Sequence, residues 1–221
     1  MEAVAITDHG NMYGAKEFYD TATKAGVKPI LGCETYIVSD RHVKNKDTER
    51  RYHLILLAKN AVGYHNLIKL VSIGFTEGSY YGKPRIDHAL LEELHEGIIC
   101  CSACIAGELP KAVMAGNMGE AERIIEWYKR VFGDDYYIEL QRHKPQDPTR
   151  PHDVIEAQDM VNPQLVALAK KYGVKYFCSN DVHFTDADDA VAHDHLICLN
   201  TGKDLDDPTR MRYTGEEYFK S

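Results

Sequence analysis

Two apolar runs, one near each end of the chain, stop abruptly in an acid and an imidazole. Residues 3–6 read Ala-Val-Ala-Ile and break into Thr7-Asp8-His9-Gly10; residues 174–178 read Val-Lys-Tyr-Phe-Cys and open into Ser179-Asn180-Asp181-Val182-His183. A short apolar run bounded by turn residues reads as a buried strand. In α/β proteins, ligands and metals sit outside the carboxyl ends of such strands. Two strands that each end in Asp plus His therefore suggest a shared metal site.

Between these runs, strand and helix signals alternate. Helical spacing covers residues 12–25, 61–74, 87–95, 108–115, 118–132, 158–172 and 186–200. Strand patterns cover 27–38, 53–58, 97–101 and 135–140 in addition to the two terminal runs. Residues 39–51 form a charged, solvated connection, and 144–157 read as a polar surface excursion. Such alternation with short loops predicts an α/β fold with a mostly parallel sheet. The six strands are one short of a seven-stranded barrel. The shortfall falls at the amino end, where Met1 stands within two residues of a strand. Residues 213–221 open a fresh amphipathic segment. The chain therefore reads as one barrel domain over about 1–205, with 206–221 beginning a connection to something further on, and as part of a longer protein.

At 221 residues, with 44% hydrophobic and 27% charged residues, the composition is that of a globular domain. No apolar run approaches the ~20 residues that span a bilayer, and the start has no basic, leader-like region, so a cytoplasmic location without membrane association is expected. The net charge of −8 argues against binding nucleic acid by bulk electrostatics. Eleven histidines, several just after apolar runs, are the second pointer to metal.

The polar residues at strand ends are Asp8, His9, Glu34, His53, Cys104, Asp181 and His183. Each is a donor that divalent metals accept, and each sits beside apolar sequence where an unpaired charge is costly. Singly, each has an ordinary structural reading; Asp8 and Asp181, for instance, could cap the helices that follow them. Together they suit phosphoester chemistry, in which closely held metals bind a phosphate, activate water and stabilise the leaving oxygen. Cys101-Ser102-Ala103-Cys104 has CxxC spacing without the second pair a zinc ribbon needs; Cys104 alone follows the strand. Cys33, Cys100, Cys178 and Cys198 read as core thiols. Lys83-Pro84-Arg85 is a weak phosphate-binding candidate, and His143 is divided between structure and site. His193 and His195, two apart on a helix, face different ways. No P-loop, dinucleotide fingerprint or nucleophile elbow is present.

Thr7-Asp8-His9-Gly10-Asn11-Met12-Tyr13-Gly14-Ala15, Gly32-Cys33-Glu34, His53-Leu54-Ile55-Leu56-Leu57-Ala58 and Asn180-Asp181-Val182-His183 resemble the polymerase and histidinol phosphatase (PHP) domain. Tyr81-Gly82-Lys83-Pro84-Arg85-Ile86-Asp87, Cys104-Ile105-Ala106-Gly107-Glu108-Leu109-Pro110 and the stretch from His193 to Lys203 are similar to the version that opens the alpha subunit of bacterial DNA polymerase III. The resemblance covers essentially the whole chain. It implies a distorted (β/α)₇ TIM-like barrel, here lacking its first strand, with a metal centre of up to three ions, Zn²⁺ or Mn²⁺ with Mg²⁺ as an alternative. The ligands it implies are His9, Glu34, His53, Cys104, Asp181 and His183; Asp8 and Asp181 would serve catalysis. The His-x-His strand and acidic ligand that begin the family pattern are not in this sequence.

The implied function is the PHP part of a replicative DNA polymerase, with metal-dependent phosphoesterase or 3′→5′ exonuclease capacity. The rivals are a scaffold that braces the polymerase and docks a proofreading subunit, and a free-standing phosphatase. DNA and other replicase subunits, a proofreading subunit and a sliding clamp among them, are the expected partners. The isolated chain is expected to bind metal weakly, hydrolyse DNA poorly and self-associate along an open barrel edge.

Overall fold

The computed structural model describes residues 1–48 and 50–220; Glu49, in the charged connection, and Ser221, in the last segment, lie outside the described residues. In chain order the elements are β1 (Ala3–Ile6), α1 (Ala15–Lys24), β2 (Lys28–Val38), β3 (Tyr52–Ala58), α2 (Ala61–Thr76), β4 (Arg85–Asp87), α3 (His88–Glu93) and β5 (Ile98–Cys101). There follow α4 (Glu108–Met114), α5 (Met118–Phe132), a 3₁₀ turn, β6 (Tyr136–Gln141), α6 (Asp153–Tyr172), β7 (Lys175–Ser179) and α7 (Asp189–Thr201). The strands form one curled sheet in the order β1-β2-β3-β5-β6-β7, with β4 paired to β2. Its two ends, β1 and β7, are not paired with each other, so the architecture is an open part of a TIM-like barrel.

The expected parallel sheet is broken at one strand. β3 runs antiparallel to both β2 and β5, while β1–β2, β2–β4, β5–β6 and β6–β7 are parallel. Among its described residues the β2–β3 connection contains no helix to carry the chain back across the sheet, which a parallel crossover normally uses. The reversal matters for the site, because it brings the amino end of β3 to the edge where the other strands have their carboxyl ends.

Four other features correct or extend the sequence reading. β4 is a strand of three residues, held by pairing with Tyr36–Val38 of β2 and too short for a periodic signal. α6 begins at Asp153, five residues before the sequence pattern starts, because Ile155 already faces the core one turn ahead of Gln158. The amphipathic segment at 213–220 folds back over the end of β7 through a Phe184–Tyr218 bridge. Finally, β7 is largely exposed, Cys178 included; it is the last strand of the sheet and is paired on one side only.

The core lies between the convex side of the sheet and α2 to α6. Leu54 and Leu56 of β3 point into it with Leu67, Leu70, Leu91, Ile125 and Leu165. By the period of two along a strand, His53, Ile55 and Leu57 face the concave side instead. Helix ends follow local chemistry. Asn117 caps α5 by accepting from the Glu120 amide at 3.2 Å, and Lys129 and Arg130 occupy its last turn, where the helix dipole favours cations.

Candidate metal centre

Register places the site. Glu34 pairs with Ile55, and Ile55 with Cys101; Tyr36 pairs with His53; Tyr137 pairs with Lys175 and Glu139 with Phe177. Glu34, His53 and Glu139 thereby share the concave face. His9, just past β1, bridges to Glu34. The Cys104 loop is tied to β3 by the His53 amide donating to the Ala106 carbonyl at 3.1 Å. That loop is tight. Ala103 has φ +60°, and a Cβ on Gly107 would fall 2.1 Å from the Ser102 carbonyl, so only glycine fits there.

His9, Glu34, His53, Cys104, Asp181 and His183 all line one cavity of about 180 Å³. Glu34 is its pivot: Oε1 lies 2.5 Å from His53 Nδ1, and Oε2 lies 3.4 Å from His9 Nδ1. Ligand atoms of His9, Glu34 and His53 all fall within 4.8 Å of one another. Cys104 Sγ is 3.6 Å from His53 Nδ1, and the His183 ring centroid is 5.7 Å from that of His9. The nitrogen and oxygen donors of His9, Glu34 and His53, set this close together, fit a divalent ion; Cys104, Asp181 and His183 line the same cavity. Asp8 stands apart. It is exposed, its backbone carbonyl accepts from the Glu34 amide at 3.0 Å, and its residue lines a wider opening of about 690 Å³ between β1 and β7.

The titrating groups respond to this crowding. Burial would raise the Glu34 pKa, but the His53 hydrogen bond and the His53, His9 and His183 charges hold it below the ordinary carboxylate value. Asp181 is raised, first by burial and then by the Glu34 charge. His9 is lowered, chiefly by burial. Burial also pushes the Cys104 thiol well up, so it awaits a metal or other cation before it ionises. Glu139, beneath the cavity, is raised by burial; its Oε1 accepts from Gln141 Nε2 at 3.0 Å and from Ser179 Oγ, while its buried Oε2 has no partner among the described residues.

The PHP domain profile matches residues 1–143. This chain belongs to the PHP domain family. It is 45% identical to the DNA polymerase III subunit alpha of Borreliella burgdorferi over 225 residues, covering 100% of this chain and 19% of the relative. It is 41% identical to the Treponema pallidum DNA polymerase III subunit alpha, over 99% of the chain and 18% of the relative. With the Campylobacter jejuni subunit it shares 40% identity over 98% of the chain and 18% of the relative. The chain thus spans about a fifth of the length of the curated relatives it matches.

Two residues of this PHP cavity carried little or no signal in the sequence. His143 is fully buried: Gln158 Nε2 donates to its Nδ1 at 2.9 Å, and its Nε2 faces the Asn180 carbonyl at 2.9 Å. With Nδ1 accepting, Nε2 carries the proton and donates to Asn180. His143 thus braces the turn in which Asp181 adopts φ +44°. Tyr213, from the returning segment, puts its hydroxyl 3.1 Å from His183 Nε2. The aromatic-rich sequence around 213 was the available clue, but nothing local says which side of the barrel it returns to.

Lys83-Pro84-Arg85 divides. Arg85 is wholly buried, donating to the Gly78, Val43 and Arg41 carbonyls at 2.7, 3.0 and 2.9 Å, which makes it structural. Cys33, Cys100 and Cys198 are buried as expected, and all six cysteines are free thiols. His193 turns toward His183 and Tyr213 while His195 is exposed. Among the described residues no helix is long and apolar enough to cross a membrane.

Proposed function

We propose that this PHP domain belongs to a replicative DNA polymerase and that its cavity is a metal-dependent phosphoesterase site acting on the terminal phosphodiester of a DNA 3′ end. The observation that carries this reading is the convergence of six donors, from β1, β2, β3, β5 and β7 or the residues just after them, on one cavity. The likeness to polymerase alpha subunits supports the assignment to replication. DNA, a proofreading subunit and a sliding clamp reached through other regions are its partners in this reading, and the cytoplasm its place.

His9, Glu34, His53, Cys104, Asp181 and His183 would hold the metal, Zn²⁺ or Mn²⁺. Bound there, it would lower the pKa of a water and polarise the phosphoryl group. Glu34, kept ionised, orients the His9 and His53 rings through its two oxygens. Asp181 would give the metal one carboxylate oxygen and take the proton of the attacking water on the other. The backbone carbonyl of Asp8, which accepts from the Glu34 amide, holds the turn that carries His9, and its side chain would act from the wider opening.

The test is Asp181→Asn in the full-length polymerase carrying this domain. Bound metal should fall and exonuclease activity vanish, while polymerase activity stays largely intact, because an amide lacks the carboxylate's charge and basicity. Unchanged nuclease activity at full metal occupancy would remove Asp181 from the site.

A further inference from the structure

The segment that folds back over β7 brings one cation to the cavity. Among the described residues lining it, with Glu34, Asp181 and the histidines, Arg212 is the sole Lys or Arg. Arg212 is half-buried, and its Nη2 donates to the Thr149 carbonyl at 3.0 Å. Its Nε is buried and has no hydrogen-bond partner among the described residues. A guanidinium N–H left without an acceptor is costly, and native proteins rarely keep one without a use. Its neighbour Tyr213 adds a hydroxyl on the same wall.

This wall is built rigidly. Arg210 Nη2 and Arg150 Nη1 both donate to Asp194 Oδ2, at 3.2 and 2.9 Å, pinning the segment to α7 and to the loop before α6. Asn180 Nδ2 donates to the Glu216 and Tyr218 carbonyls at 2.9 and 2.7 Å, fixing its far end. Among the described residues Glu217 makes no ion pair with Arg212, its oxygens taking bonds from Thr214 and Gly215; Asp147 is a nearby carboxylate that feels the Arg212 charge.

We propose that Arg212 is the substrate-phosphate anchor of this cavity, its guanidinium receiving the non-bridging oxygens of a phosphodiester. The planar fork of an arginine matches two phosphate oxygens and keeps its charge at any working pH. It also offsets the repulsion that Glu34 and Asp181 exert on an entering anion. The assignment rests on the phosphoesterase reading for its substrate, but it makes a separate claim about binding.

The experiment measures, in the purified full-length protein, the dissociation constant of inorganic phosphate, KM and kcat for bis(p-nitrophenyl) phosphate, metal content and melting temperature. Arg212→Gln should weaken phosphate binding and raise KM by about tenfold or more, since a charge-assisted fork is lost, with metal content unchanged. Arg212→Lys should recover part of both. In the unsubstituted protein the Arg212 Nε–H NMR signal should shift on phosphate titration, a readout that holds even if the variants fold poorly. Phosphate binding that is absent, or equal in Arg212→Gln, or an unshifted Nε–H signal, overturns the assignment. A protein that binds phosphate through Arg212 but hydrolyses no phosphodiester upholds the anchor and refutes the catalytic reading. Hydrolysis with an unaltered KM in Arg212→Gln does the reverse.

Discussion

Removing the Asp194 carboxylate should release one wall of the cavity without unfolding the barrel. Asp194 lies on α7 and is 8% exposed. Its Oδ2 takes both Arg150 and Arg210, whose side chains are 12% and 7% exposed. Asp194→Ala leaves two guanidinium groups facing each other with their shared counter-charge gone. Breaking a buried pair in this way costs about 3–5 kcal/mol when the structure holds still. The chain has a cheaper response. The returning segment, 203–220, is fixed by a few further bonds: Arg212 to Thr149, Asn180 to Glu216 and Tyr218, and the His183 amide to Glu217 at 2.8 Å. Each is worth about 0.5–1.5 kcal/mol net. These ties are few and local, so opening the segment relieves the strain without unfolding the barrel.

Native-state hydrogen exchange is the assay. The amides of His183 and Phe219, which donate across this seam, should exchange roughly a hundredfold faster or more, since every ~1.4 kcal/mol is a factor of ten. The β3 and β6 amides should be little changed, and the melting temperature should move by no more than a few degrees. Asp194→Asn, which keeps an acceptor but loses the charge, should fall between. Unchanged protection at His183 and Phe219, or a loss spread evenly over β3 and β6, would refute the claim that this carboxylate holds the wall.

Arg85→Met should lower stability by about 3–5 kcal/mol, because the Gly78, Val43 and Arg41 carbonyls lose a wholly buried charged donor; phosphate affinity and metal content should be those of the parent, and a selective loss of phosphate binding would make Arg85 a ligand after all. Glu139 gives a pH signature in the metal-free protein. Burial raises its folded-state pKa, so the folded state binds the extra proton, and stability falls as pH rises from the ordinary carboxylate range through the folded-state value. Glu139→Gln should flatten that fall and stabilise the protein at pH 8, as denaturant titrations at pH 5 and 8 would register; a parent and variant with parallel pH profiles would contradict it.

The sequence alone determined the elements and the donor atoms. Apolar runs of four to seven residues at β1, β3 and β5, and helical spacing over α2 and α5, are local patterns that stand whatever the chain packs against. His9, Glu34, His53, Cys104, Asp181 and His183 were visible because polar donors beside apolar runs are conspicuous. Tertiary structure decided how they meet. The period of two fixes which residues share a face, but only strand direction and register say which end of β3 lies beside the ends of β1, β5 and β7. His53 reaches Glu34 because β3 is reversed, which no local periodicity encodes. The three-residue β4 exists through its partner on β2. The burial of Arg85, the bracing by His143 and the return of Arg212 and Tyr213 to the cavity depend on residues 7 to 63 positions away in the chain. Their energies come from long-range contacts, so a local reading could name them as polar residues but could not assign them their places.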